Sequence, residues 1–239
     1  MEQSTHIGRG FIQRIRTVVF DLVMPIYCIG CGIERTHCCL SCEQQLSALV
    51  MAPRCFYCQR PTVPGSRCDR CPSETLPATL AWIGSYANPL LQAAVRELKF
   101  GLRRHLGIVL GQILAQRCSF DGDGIVVAIP LSPRRLLERG FNQAGIIAQT
   151  IAAQRGWTYV PDLLERVRNT SAQATLEHHA RPANIAGAFR VPLSSSDLIP
   201  SKILLVDDVW TTGSTMEEAT RVLKEAGVKE VFGAVVAVG

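Results

Sequence analysis

The residues with the clearest chemistry run Ile203-Leu204-Leu205-Val206-Asp207-Asp208-Val209-Trp210-Thr211-Thr212-Gly213-Ser214-Thr215. Four apolar residues read as a buried strand, covered on both faces. Two carboxylates follow at its carboxyl end, where open α/β sheets bind ligands. Asp207 and Asp208 only accept hydrogen bonds when ionised, so they suit the vicinal hydroxyls of a ribose. Thr211, Thr212, Ser214 and Thr215 add hydroxyls and successive backbone N–H groups. Gly213 permits positive φ, which lets those groups converge on an anion. A helix starting near Met216 adds the positive end of its dipole. The order dyad, loop, helix therefore describes a seat for a sugar carrying a 5′-phosphate. Asp, Thr, Gly and Ser are also ordinary turn residues, but here strand, dyad, loop and helix coincide.

This stretch resembles the phosphoribosyl-pyrophosphate (PRPP) motif of type I phosphoribosyltransferases, in which two acidic residues precede a Thr-Thr-Gly-x-Thr loop. The match is complete at the polar positions. Trp210 departs from it, being bulkier than the small apolar residue expected there.

A second chemistry lies near the amino terminus. Of ten cysteines, eight form the C-x-x-C pairs Cys28/Cys31, Cys39/Cys42, Cys55/Cys58 and Cys68/Cys71. Two thiolates on one tight turn can face one tetrahedral metal, and four such pairs make two four-cysteine zinc sites. Consecutive pairing joins Cys28, Cys31, Cys39 and Cys42, then Cys55, Cys58, Cys68 and Cys71. Interleaved pairing, as in cross-brace domains, is the alternative; consecutive pairing closes shorter loops. Cys38 rivals Cys39 as a ligand but lacks the spacing to Cys42. His37 reads as an exposed loop residue and Cys118 as a small core residue. Closed sites of this kind are structural or used for docking. Chelation is expected to melt residues 28–71 and leave the rest folded.

Three further polar segments suit a ligand with several phosphates. Leu98-Lys99-Phe100 precedes Arg103 and Arg104. Ser132 to Gly140 reads as a flexible basic loop carrying Arg134, Arg135 and Arg139, and runs on into Phe141-Asn142-Gln143. Arg166, Thr170, Gln173, Arg181 and Asn184 form a third cluster. Basic side chains in such loops offset the charge that grows on a departing diphosphate. The bland alternatives are solvated helix faces for Arg134, Arg135 and Lys99, and a helix cap for Asn142. His178 and His179 receive no role.

The elements that must position these groups alternate. Strands are expected at Thr79–Tyr86, Ile125–Ile129, Trp157–Val160, Phe189–Val191, Ile203–Val206 and Glu230–Val238. Helices are expected at Leu90–Phe100, Leu106–Cys118, Asn142–Arg155 and Met216–Ala226, the last ending at Gly227. The alternation predicts an α/β fold: a mostly parallel sheet with helices on both faces, plus a small Cys-rich zinc module. The expected divisions are an amphipathic segment 1–24, a double zinc-binding module 25–76 and a sheet domain 77–239.

Composition fits an ordinary globular chain of 239 residues with 47% hydrophobic residues. A net charge of +5 and pI near 8.7 favour phosphate-bearing partners without singling out nucleic acid. There is no apolar run of about 18 residues, so no membrane insertion is expected. Phe11 to Tyr27 is interrupted by Arg14, Arg16 and Asp21, and no small-residue cleavage site follows. With thiols spaced for metal rather than for a disulfide scaffold, the expected location is cytoplasmic.

Taken together, the chain resembles the ComF family. The resemblance spans Pro25-x-x-Cys28-x-x-Cys31, Cys39 and Cys42, Leu98-Lys99-Phe100, Arg139-Gly140-Phe141-Asn142-Gln143, the Arg166–Asn184 segment ending in Ala188-Phe189, and the PRPP motif. It implies a type I phosphoribosyltransferase-like fold and a role in DNA uptake during natural transformation. It also implies single-stranded DNA and a helicase-like competence protein as partners. Two functional classes follow. In the enzyme reading, Asp207 and Asp208 hold the ribose and Thr211, Thr212, Gly213, Ser214 and Thr215 hold the 5′-phosphate of PRPP or a related ribose 5-phosphate. Lys99 and Arg139 stabilise the leaving diphosphate, completing the candidate catalytic set, and Mg²⁺ bridges diphosphate and ribose oxygens. No motif specifies the acceptor. In the binding reading, the zinc module and basic loops engage single-stranded DNA or a competence protein without turnover. Aromatic content of 6% offers few stacking platforms, which favours docking to protein.

Overall fold

The computed structural model describes residues 26–71, 74–101, 103–118, 124–168, 185–192 and 199–239. The expected amphipathic segment 1–24, Thr170, Gln173, Arg181, Asn184, His178 and His179 lie outside the described residues.

The sheet has five strands: β1 (Leu80–Ser85), β2 (Ile125–Ala128), β3 (Thr158–Tyr159), β6 (Lys202–Trp210) and β7 (Glu230–Val238). Their order is β1-β7-β6-β2-β3 and every pairing is parallel. The central strand β6 is apolar from Ile203 to Val206 and buried there, as a strand covered on both faces requires. Two further strands, β4 (Glu165–Arg166) and β5 (Phe189–Arg190), form a separate antiparallel pair. Arg166, expected in an irregular segment, therefore sits in a short strand pair.

Six helices complete the described elements: α1 (Leu40–Ser47), α2 (Pro89–Phe100), α3 (Arg104–Ala115), α4 (Pro133–Arg139), α5 (Gln143–Arg155) and α6 (Ser214–Glu225). Buried residues of α2, α3 and α5 share one core on one sheet face, and those of α6 share the other. Gly107 and Gly111, one turn apart on α3, let α5 pack close. A Cβ at Gly111 would come within 2.7 Å of Thr150 Cβ.

Two expectations need correction. Ser132–Gly140 is not a flexible loop, because residues 133–139 form α4. The Ser132 hydroxyl accepts from Arg135 N–H at 3.4 Å, Pro133 starts the helix, and Gly140 ends it at φ 70°. Those are helix start and stop signals. The dyad also lies inside a strand rather than past it. Pairing with β2 stops at Val206, but β7 continues alongside to Trp210.

The Cys-rich module does not stand apart. Cys28, Cys38, Cys42 and Leu46 lie in the core with α2 and α3, whereas Cys55, Phe56, Cys71 and Leu76 lie in the core with α6. The module also closes the free edge of β1. Leu80 N–H donates to Gly65 O at 2.8 Å, and Ser66 bridges Thr79. Arg117 donates to the carbonyls of Trp82, Ile83, Ser47 and Leu49 at 2.6–2.9 Å. An exposed sheet edge invites unwanted pairing, and here chain and guanidinium cover it.

Candidate functional site

β2 pairs with β6 as far as Val206, and β6 runs on beside β7 at the carboxyl ends of the central strands. Asp208 is buried there. Lys99, in the last turn of α2, reaches it with Nζ 2.8 Å from Asp208 Oδ1. Gln143 Nε2 donates to the other oxygen, Asp208 Oδ2. A cation at a helix carboxyl terminus is favoured by the dipole, so α2 presents Lys99 at little cost.

Gln143 reaches Asp208 because its helix is anchored at the right place. Asn142 caps α5, accepting from Ala144 N–H at 3.1 Å and donating to Ile129 O at 3.0 Å, just past β2. Phe141 is buried, with the Arg104 guanidinium 4.8 Å from its ring centroid. Each residue of the Arg139–Gln143 string thus has a structural task, and the contact of Gln143 with the dyad was not foreseen from the sequence. Gln143 Oε1 is buried without a partner among the described residues.

Asp207 is half-buried and accepts the Asp208 N–H at 2.8 Å. Burial, then the charge of Asp208, push its carboxyl up to about 7, against the pull of that N–H, Lys99 and Arg166. Arg139 and Arg166 are held below their ordinary range chiefly by burial, and the carboxylates oppose that shift. Their guanidiniums lie 5.4 Å and 5.5 Å from the ring centroids of Phe100 and Phe189. Of the basic segments, Lys99 touches the dyad and the charges of Arg139 and Arg166 act on it, whereas Arg103 pairs with Glu97 and the Tyr27 carbonyl, Arg104 donates to Gly140 O and Arg134 pairs with Glu138. Beside Arg166 a cavity of about 550 Å³ opens between Pro130, Pro161, Leu164 and Val167.

The loop after β6 turns at Gly213, with φ 83°. A Cβ there would come within 2.9 Å of Trp210 Cη2, so only glycine fits. Thr212 Oγ1 and Ser214 Oγ are 2.9 Å apart. Helix α6 begins at Ser214, two residues earlier than expected, which places Ser214 and Thr215 in its first turn among N–H groups that no helical carbonyl can reach. Trp210 is buried and fills the space beneath this turn.

The thiols fall into two sets, Cys28, Cys31, Cys39 and Cys42, and Cys55, Cys58, Cys68 and Cys71, each with sulfurs within 4.8 Å of one another. This is the consecutive arrangement. Individual Sγ···Sγ separations are 3.6 Å for Cys31–Cys39, 3.8 Å for Cys55–Cys71, 3.4 Å for Cys58–Cys68 and 3.5 Å for Cys68–Cys71. A zinc ion bonding sulfur at about 2.3 Å needs tetrahedral edges of about 3.8 Å, so both sets fit that ion. Burial resists ionisation of Cys28 and Cys55, but neighbouring N–H groups outweigh it and bring both thiols down to about 6. Cys42 and Cys71 are pushed up by burial and by nearby sulfurs, a repulsion that a cation relieves. Cys38 lies in the core outside the set, and burial pushes its thiol up to about 12. His37 is half-buried rather than exposed, its ring 6.2 Å from that of His105.

A parallel sheet with an acidic dyad, a glycine turn and a helix amino terminus defines a phosphoribosyltransferase-domain protein. Residues 136–238 match the phosphoribosyl transferase domain family. The chain belongs to the ComF family. It is 31% identical over 224 residues to the DNA utilization protein YhgH of Salmonella typhimurium, covering 88% of this chain and 96% of that one. It is 28% identical over 220 residues to Competence protein F of Haemophilus influenzae, covering 85% and 93%. Competence protein ComFC of Streptococcus pneumoniae is 39% identical over 105 residues, 44% of each chain. Among the described residues, no helix is long and apolar enough to cross a membrane.

Proposed function

We propose that this protein binds PRPP and transfers its phosphoribosyl group. The observation that carries the reading is the Lys99–Asp208 ion pair at the acidic dyad, on the strand that leads into the Gly213 turn and the start of α6. Asp207 and Asp208 take the ribose hydroxyls, and Thr211 to Thr215 take the 5′-phosphate. Lys99 has three donors, so it can keep Asp208 while a second hydrogen reaches a diphosphate oxygen. Arg139 adds charge as the C1–oxygen bond breaks and the acceptor bonds to C1. Mg²⁺ accompanying the diphosphate would find its protein oxygens in the same dyad. The cavity beside Arg166 is the side from which an acceptor enters.

Calorimetric titration with PRPP and Mg²⁺ tests this, using the protein and its Asp207→Asn/Asp208→Asn double variant. Binding by the first and none by the second is expected. No binding by the zinc-loaded protein would end the enzyme reading.

A second reading has its own observation. On α4, Arg134, Leu136 and Leu137 are exposed, and Arg139 of the same helix lies against Phe100, which is 73% exposed. That mixture suits single-stranded DNA, with phosphates on arginine and a base on Phe100. The relatives called a DNA utilization protein and competence proteins agree with it. Affinity for an oligonucleotide should fall steeply with salt; affinity indifferent to salt would count against it.

A further inference from the structure

We infer that the second four-cysteine set holds the phosphate loop in shape through Phe56 and Trp210, so that occupancy of this set governs the candidate anion seat. The proposal rests on the zinc and sugar-phosphate readings above, but its geometry is independent of the acceptor.

Phe56 directly follows Cys55 inside the Cys55/Cys58 turn, so the turn's conformation fixes its ring. Cys55 is fully buried, and Cys68 N–H donates to its sulfur at 3.4 Å. The Phe56 ring meets Trp210 edge-on, with centroids 5.3 Å apart and planes at 82°. Trp210 in turn supports Gly213, the residue at positive φ on which the loop turns. A second tie runs parallel. Thr75, just beyond Cys71, donates to Glu217 Oε1 at 3.0 Å, in the first turn of α6. Cys55, Phe56, Cys71, Trp210 and Met216 all belong to one buried cluster.

The first four-cysteine set has no such connection among the described residues. Its buried residues pack in the other core, with α2 and α3. If the second set loses its ion, the four metal–sulfur bonds that would tie its two turns together are lost. The turn bearing Phe56 then relaxes, and the support beneath Trp210 goes with it. Phe56 and Trp210 are thus positioning residues, and the bulk at 210 that departs from the usual motif is what reaches the metal module.

The test is amide hydrogen exchange of residues 211–217, compared with 230–238, together with binding of inorganic phosphate and zinc content. Phe56→Leu should keep both zinc ions, speed exchange in the loop about fivefold and weaken phosphate binding by a similar factor, as expected for loss of an aromatic edge–face pair. Exchange over 230–238 should be unchanged. Phe56→Tyr should resemble the parent. Cys58→Ser should lose one zinc and loosen the loop, whereas Cys31→Ser should lose one zinc and leave the loop alone. Unchanged loop exchange in zinc-replete Phe56→Leu would overturn the proposal. So would equal acceleration over 230–238, or loosening by Cys31→Ser. If Phe56→Leu does not fold, Thr75→Val probes the parallel tie by the same measurements. A parent protein that ignores PRPP but whose loop exchange follows Phe56 would sink the sugar-phosphate reading and leave this coupling intact.

Discussion

Lys99 Nζ and Asp208 Oδ1 form an ion pair 2.8 Å long in which the lysine side chain is 20% exposed and the aspartate 10%. It joins the end of α2 to the middle of the sheet, and Gln143 completes the grip from α5. One carboxylate is thus fixed by two elements before any ligand arrives, which lowers the ordering cost of binding.

Removing each partner should have a distinct effect. Gln143→Leu leaves Lys99 in place and is expected to weaken PRPP binding about tenfold, the equivalent of one hydrogen bond to a charged group. Lys99→Met removes the contact to Asp208 and, on the proposed reading, one to the diphosphate. It should therefore weaken PRPP more than ribose 5-phosphate, whereas Gln143→Leu should weaken both alike. Parallel titrations of the two ligands decide it; equal losses for Lys99→Met would remove the lysine from the diphosphate.

Asp207 predicts a pH dependence. Its carboxyl is ordinarily near 3.8 and stands at about 7 in the folded chain. Between those values the folded protein keeps a proton that the unfolded chain has lost. Stability contributed by this group is therefore full below pH about 4 and is lost as pH rises towards about 7. Asp207→Asn removes the loss. Urea midpoints at pH about 5 and about 8 should show the variant gaining on the parent at the higher pH. A gap that stays constant would mean burial and Asp208 do not act on this carboxyl as described.

Metal removal should be felt by the whole chain. Two zinc ions per molecule are expected from the two thiol sets. Because each set shares a core with helices of the sheet, a chelator should lower the single melting transition of the full protein. The expectation from spacing alone, a melted module beside an intact sheet domain, takes no account of this packing. Calorimetry separates the two: an unchanged high-temperature transition after chelation would restore the independent module.

Arg117 is predicted to be a stability residue. Its four carbonyl contacts tie Ser47 and Leu49 to Trp82 and Ile83. Arg117→Met keeps the stem but leaves those carbonyls without this donor, and should cost about 2–4 kcal/mol in urea unfolding. PRPP affinity should hold in the folded fraction, since the contact lies away from the dyad.

The motifs and most of the elements could be read along the chain. The dyad, the Gly213 turn and the C-x-x-C pairs are local, and their spacing follows from backbone geometry within a few residues. Strand and helix periods pointed to the parallel sheet for the same reason, and Glu230–Val238 is a strand as expected. Helix α4 was legible too, from Ser132, Pro133 and Gly140, although its arginines suggested a loop. Which groups meet was settled only by folding. Lys99 was expected at the same site, but on a diphosphate rather than on Asp208; nothing near Gln143 in the chain points to Asp208, and nothing around Arg117 points to the edge of β1. The extension of β6 through the dyad depends on how far β7 runs beside it. Trp210 looked like a misfit in its motif because the residue it packs against, Phe56, belongs to a different part of the chain. Such contacts arise from burial shared across distant segments, and local pattern carries no record of them.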